Sequence, residues 1–211
     1  MDNDQITLLT GQVIAQMRQR NIPVGISNRH VHLSAKDYQR LFPGQPLTVK
    51  KALGQPGQFA AEQTVTLKGP KGRLENVRIL GPLRGQSQVE ISRTDARLLG
   101  VTAPLRLSGD LAGSAGIALV SDTGEITLAE GMIIARRHIH MSRLDAAIFG
   151  VKQGEIVNVE IKGTERTLIF GDVCIRVGDD MRLELHIDTD EANAADIGEG
   201  KPTARLLLTQ F

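Results

Sequence analysis

The chain has 211 residues, 41% of them hydrophobic and 23% charged, with 25 Lys and Arg against 24 Asp and Glu for a formal net charge of +1. That balance describes an ordinary soluble chain of one or two small domains and supplies no strong field for nucleic acid or an acidic membrane. A single cysteine, Cys174, excludes an intrachain disulfide, and 3% aromatics with no Trp argue against a base-stacking platform.

Residues 3–20 read as a helix. Ile6, Leu9, Val13 and Met17 recur at helical spacing, Leu8 and Ile14 widen the stripe, and Asn21-Ile22-Pro23 ends it. This segment stands apart from the strand-rich remainder of the chain. It is either a helix packed on the body or a detachable peptide that docks its apolar face on a partner. No secretory signal, membrane-length apolar run or lipidation motif is present, and a reducing compartment is expected.

From Val24 onward the chain is strand and turn, organised by a repeated template. His30-Val31-His32-Leu33-Ser34 is matched by Gln88-Val89-Glu90-Ile91-Ser92, His138-Ile139-His140-Met141-Ser142 and Glu184-Leu185-His186-Ile187-Asp188. Each alternates polar and apolar residues, the pattern of a half-buried strand, and closes on Ser or Asp. An acid stands three residues further on: Asp37, Asp95, Asp145 and Glu191. That spacing is a helix N-cap of capping-box type, so a short helix is predicted after each strand, stopped near Gly44, Gly100, Gly150 and Gly198. Between these units lie Val65 to Leu67 and Asn76 to Leu80 around the Gly69-Pro70-Lys71-Gly72 turn, then Leu105 to Leu107, Ile117 to Val120 and Glu125 to Leu128. Further strands are predicted at Ile156 to Ile161, Thr167 to Phe170, Val173 to Val177 and Arg205 to Leu208. Cys174 falls within one of them as a core residue.

Many short strands with Gly-rich turns predict a mainly β protein of two small barrels with short capping helices, plus the N-terminal amphipathic helix. Ile133 to His138 echoes Val24 to His30, so the halves should meet there. The expected organisation is a helix over 1–21, a discontinuous barrel from 22–29 and 136–211, and an inserted barrel over 30–135.

Every histidine of the chain lies in these templates. Residues i and i+2 of a strand share a face, with alpha carbons roughly 7 Å apart. His30 with His32, and His138 with His140, can therefore aim at one point. With the repeats in register, His30, His32 and Glu90 form one candidate triad and His138, His140 and His186 a second. Three protein ligands with an open position match catalytic rather than structural zinc, and two zinc ions per chain are expected, each brought into one site by neighbouring barrel edges. Arg84, in the turn Gly81-Pro82-Leu83-Arg84-Gly85 just before Gln88 and Glu90, suits bidentate phosphate recognition.

Asn28 to Ser34, Gly81 to Arg84 with Gln88 to Ala96, Arg137 to Ser142, and Arg182 to Asn193 together resemble the PduL-type phosphate propanoyltransferases of bacterial microcompartments. The likeness runs from about residue 22 to 208. It implies a two-barrel acyltransferase with a two-zinc site that interconverts propanoyl-coenzyme A plus phosphate with propanoyl phosphate plus coenzyme A, in 1,2-propanediol or related aldehyde degradation. It further implies metal ligation by His30, His32 and Glu90 and by His138, His140 and His186, with Arg84 on the transferred phosphate. Coenzyme A contacts are implied at Ile26, Ser27 and Asn28, at Lys71 and Arg78, and at Asn193. The coenzyme A sulfur is expected at the first triad, and phosphate at the second with Arg84. Residues 3–20 would be an encapsulation peptide for shell or core proteins, placing the chain in the microcompartment lumen, and a homo-oligomer is expected. The competing reading is a two-metal hydrolase of a thioester or phosphate ester. A barrel-type binding module is the non-enzymatic one, which near-neutral charge and clustered histidines oppose.

Overall fold

The computed structural model describes residues 2–198 and 200–207. Its first half runs α1 (Asn3–Arg18), β1 (Ile22–Ser27), β2 (His30–His32), α2 (Ala35–Leu41), β3 (Val49–Ala52), β4 (Phe59–Lys68), β5 (Arg73–Gly81), β6 (Gln88–Glu90), α3 (Arg93–Leu99) and β7 (Leu105–Arg106). The second runs β8 (Ala115–Val120), β9 (Glu125–Ala135), β10 (His138–Met141), α4 (Arg143–Phe149), β11 (Ile156–Lys162), β12 (Thr167–Val177), β13 (Glu184–Asp188), α5 (Thr189–Ala194) and β14 (Thr203–Leu207). The last residue of the predicted strand at 205–208, Leu208, lies outside the described residues. Two compact units result. A terminal unit holds Met1–Gly25, Arg137–Ile187 and Glu191–Phe211; an inserted unit holds Ile26–Arg136 and Asp188–Asp190.

In the inserted unit, six strands close a ring in the order β4-β5-β2-β6-β9-β8, because β8 pairs with both β9 and β4; β3 and β7 extend its edges. The terminal unit closes β1-β13-β10-β12-β11-β14. One wiring serves both. β2 runs parallel to β5 and antiparallel to β6, as β10 runs parallel to β12 and antiparallel to β13. Closure leaves no long unpaired edge in either ring.

Strand alternation fills each barrel with its own core. Leu33, Leu67, Ile79, Leu119 and Met132 have no exposed surface in the inserted unit, nor do Ile22, Ile139, Met141 and Ile175 in the terminal one. Each such side chain contributes about 1.5–3 kcal/mol. Cys174, 3% exposed, sits in β12 as the core residue its pattern predicts.

The predicted caps start three of the short helices. Ser34, Ser92 and Ser142 accept from the backbone N–H groups of Asp37, Asp95 and Asp145, and the boxes at Ser92 and Ser142 are reciprocal. Gly100 and Gly150 end their helices in the left-handed conformation, as expected. The other two stops differ. α2 ends at Leu41, with the left-handed Gly44 three residues beyond, and after α5 the left-handed residue is Asp196, an acid that tolerates this region, rather than Gly198. The strands expected at 167–170 and 173–177 are one continuous strand, β12. It carries Asp172 at positive φ and a register shift opposite Val157 and Val159.

α1 is capped by Asp2 and Gln5 in a reciprocal box, and none of its residues is buried. Ile6, Leu9, Val13 and Met17 all stay exposed. The segment is tied where it ends. Arg18 Nε donates to the Ile148 carbonyl at 2.6 Å, and Arg20 pairs with Asp145 and lies over the Phe149 ring. Among the described residues no helix is long and apolar enough to cross a membrane.

Candidate metal centres

Pairing of the histidine strands builds one four-cornered box in each unit. In the inserted unit His30 stands opposite Glu90 and His32 opposite Gln88, across β2 and β6. In the terminal unit His138 stands opposite His186 and His140 opposite Glu184, across β10 and β13. Directly opposed residues of an antiparallel pair share a face at about 4.5–5.5 Å between their β carbons. Three corners of each box therefore converge: donor atoms of His30, His32 and Glu90, and those of His138, His140 and His186, lie within 4.8 Å of one another.

In the inserted unit, His30 Nδ1 donates to the Asn28 carbonyl at 2.8 Å, which leaves Nε2 facing Glu90 Oε2 at 3.5 Å. Burial lowers the proton affinity of His30, but the Glu90 carboxylate and the Asn28 carbonyl together outweigh it and the net direction is upward. His32 is pushed down to about 3 by burial, by His30 and by Arg84, so it is neutral at physiological pH and its Nδ1 has no hydrogen-bond partner. In the terminal unit, His138 Nε2 and His140 Nε2 lie 3.0 Å apart, and His140 Nδ1 faces Met181 Sδ at 3.3 Å. The ring centres of His138 and His140 are 5.2 and 4.7 Å from that of His186.

These donor sets fit a divalent cation. Imidazole nitrogens that point at each other inside a barrel wall gain from a shared positive charge, and neutral His32 already holds the form a metal takes. Neither set includes a thiolate, as a structural zinc site usually would.

Arg84 is brought to the first triad. Its backbone N–H donates to the Leu33 carbonyl at 2.8 Å, and its Nη1 donates to Ser108 Oγ at 3.2 Å. Ser108 also accepts from Gln88 Nε2 at 2.8 Å, and Gln88 donates to Glu90. A chain of polar contacts thus runs from the guanidinium to a candidate ligand. Arg78 lies in register with His30 on the neighbouring strand, but its Nη1 is held by the Ala61 and Glu62 carbonyls at 3.0 and 2.7 Å. Asn28 adjoins the triad through its carbonyl, while Ile26 is exposed on β1 with Ser27 half-buried beside it. Lys71 lies in the β4–β5 hairpin with its stem against Gly100, and Asn193 is exposed on α5.

Sequence reading assigned no role to Gln88, Glu184, Ser108 or Gly25. The first two were visible as the fourth member of each aligned template. Ser108 carries no signal, because only the β7-to-β8 loop brings it to Gln88. Gly25 leaves room for Glu184 and His186: a β carbon there would lie 3.1 Å from Glu184 Oε1 and 3.2 Å from His186 Cδ2.

Residues 23–198 match the family described as phosphate propanoyltransferase. The chain is 76% identical over 210 residues to a Shewanella putrefaciens protein of that name, covering 100% of both. It is 65% identical to one from Citrobacter rodentium over 92% of this chain and 93% of the relative. Identity to one from Salmonella typhimurium is 62%, over 98% and 99%.

Proposed function

The chain belongs to the phosphate propanoyltransferase family, and from that premise we propose that it exchanges coenzyme A for phosphate on a propanoyl group at a two-zinc site. It is an acyltransferase. The observation that carries the metal reading is the duplicated cross-strand box with three convergent donors. His30, His32 and Glu90 would hold one ion and His138, His140 and His186 the other. When bound, zinc supplies a Lewis acid that offsets charge on sulfur and phosphate oxygen.

The chain's own residues supply the rest. In the forward direction a phosphate oxygen attacks the thioester carbonyl, the carbon–sulfur bond breaks, and coenzyme A leaves as thiolate. Phosphate is already an oxyanion, so no strong general base is required, and orientation with charge stabilisation lowers the barrier. Arg84 offers a planar fork to phosphate, held by Leu33 and Ser108. Arg78, Lys71, Asn193 and Ile26 to Asn28 are the proposed contacts for the remainder of coenzyme A. Cys174 is buried in the core, which favours direct transfer over an acyl-enzyme. The exposed apolar stripe of α1 supports its reading as a peptide that docks on microcompartment shell or core proteins, and 1,2-propanediol degradation is the proposed setting.

Elemental analysis of protein purified without chelators should give two zinc per chain. Propanoyl-coenzyme A should be consumed only when phosphate is added; consumption without phosphate would make the chain a hydrolase. His140→Ala and His30→Ala should each lose one zinc and more than about 100-fold in turnover, since even residues behind the ligands of such sites cost 10–100-fold. Wild-type turnover in either variant would remove that histidine from the site.

A further inference from the structure

Three corners of each box are metal donors, and the fourth is Gln88 in the inserted unit and Glu184 in the terminal one. We propose that these two are counterpart positioning residues. Each orients the ligand two residues along its own strand: Gln88 by donating to Glu90, and Glu184 by accepting from His186. The inference rests on reading the triads as metal sites.

Gln88 is 1% exposed and every polar atom of its amide is used. Its Oε1 accepts from the Gly109 N–H at 2.8 Å, which fixes the amide orientation and turns Nε2 toward Glu90 Oε1 and Ser108 Oγ. Glu90 is then held at both oxygens, by Gln88 on one side and His30 on the other. In the terminal unit the corresponding ligand is an imidazole, which needs an acceptor where the carboxylate needs a donor. Glu184 Oε2 supplies it, 2.8 Å from His186 Nε2. An ionised carboxylate only accepts, so in this contact His186 donates from Nε2, and Nδ1 is the nitrogen the ring would offer to a metal. Glu184 is not among the three convergent donors. The amide-to-carboxylate exchange at one position of the repeat therefore matches the carboxylate-to-imidazole exchange two residues later.

Two isosteric substitutions in the full chain make opposite predictions. In Gln88→Glu, two carboxylates face each other and the donor to Glu90 Oε1 is lost, so one zinc should weaken about 10- to 100-fold in competition with a chromogenic chelator. In Glu184→Gln, the amide oxygen still accepts from His186, so both zinc ions should stay at near wild-type affinity and the cobalt(II)-loaded absorption spectrum should be unchanged. Glu184→Leu should weaken one zinc as Gln88→Glu does. Wild-type retention in Gln88→Glu, or equal loss in Glu184→Gln and Glu184→Leu, would overturn the proposal, the latter by making Glu184 a direct ligand. Should Gln88→Glu not fold by circular dichroism, the Gln-against-Leu comparison at 184 decides alone. Wild-type protein that takes up no zinc overturns the metal reading itself; two zinc ions with indifferent variants overturn only the positioning roles.

Discussion

Gly25 shows how little room a candidate centre leaves. The Glu184 carboxylate and the His186 ring edge occupy the space where its β carbon would project, at distances that force a neighbour to give by a few tenths of an ångström. Gly25→Ala is therefore expected to shift the Glu184–His186 pair and loosen one zinc without altering the circular dichroism spectrum; the slower-released fraction in a chelator time course reads it. Asp145 makes a different demand. Burial alone would raise its proton affinity, but Ser142 donates to it from both Oγ and N–H and Arg20 pairs with it, so the net direction is downward. A carboxyl with a depressed folded value adds stability above its ordinary value near 3.8, and loses that stability as pH falls through the folded value. Asp145→Asn should therefore flatten the fall in stability below about pH 4, where protonation of an ordinary aspartate begins. Urea melts at stepped pH measure this, and an unchanged acid limb would deny Asp145 that role.

At the scale of the element, Ser142 joins the sequence most directly to the fold. It caps α4 and links β10 to it one residue after Met141, so Ser142→Ala should cost about 1 kcal/mol in urea unfolding. A loss under a few tenths would mean that tertiary packing alone holds the helix. The caps and strands were legible because they are written locally: alternation over five residues, then Ser and an acid at fixed spacing. The triads were legible for the same reason, since the aligned template already set Glu90 beside the His30–His32 pair and His186 beside the His138–His140 pair. What escaped was non-local. Ser108 reaches Gln88 only through barrel closure, β3 is exposed at all four positions and so lacks alternation, and β12 hides its bend at Asp172 in a turn-like sequence. Gly198 was misread because an aspartate, Asp196, took the left-handed position.

At the scale of the whole molecule, duplication explains why the chain can carry two candidate metal triads on one plan. β1 leads into the first histidine strand yet closes the terminal barrel, and β9 leads into the second yet closes the inserted one. Each unit thus has a closed ring, a separate core and a triad of its own. α1 adds nothing to either core, so removing residues 1–17 should leave both the unfolding midpoint and turnover unchanged, while any docking that depends on the exposed stripe is lost. Metal bound to a folded barrel but not to the unfolded chain stabilises that barrel by mass action, and opening reactions report the effect locally. Hydrogen exchange should therefore show that chelation speeds exchange in β2 and β6 and in β10 and β13 together. In His140→Ala, β10 and β13 should exchange at the chelated rate even with zinc present, while β2 and β6 keep their zinc-dependent protection. If zinc protected all four strands in that variant, or none, the two triads would not be separate binding sites, because one lost ligand would then have failed to act on its own barrel alone.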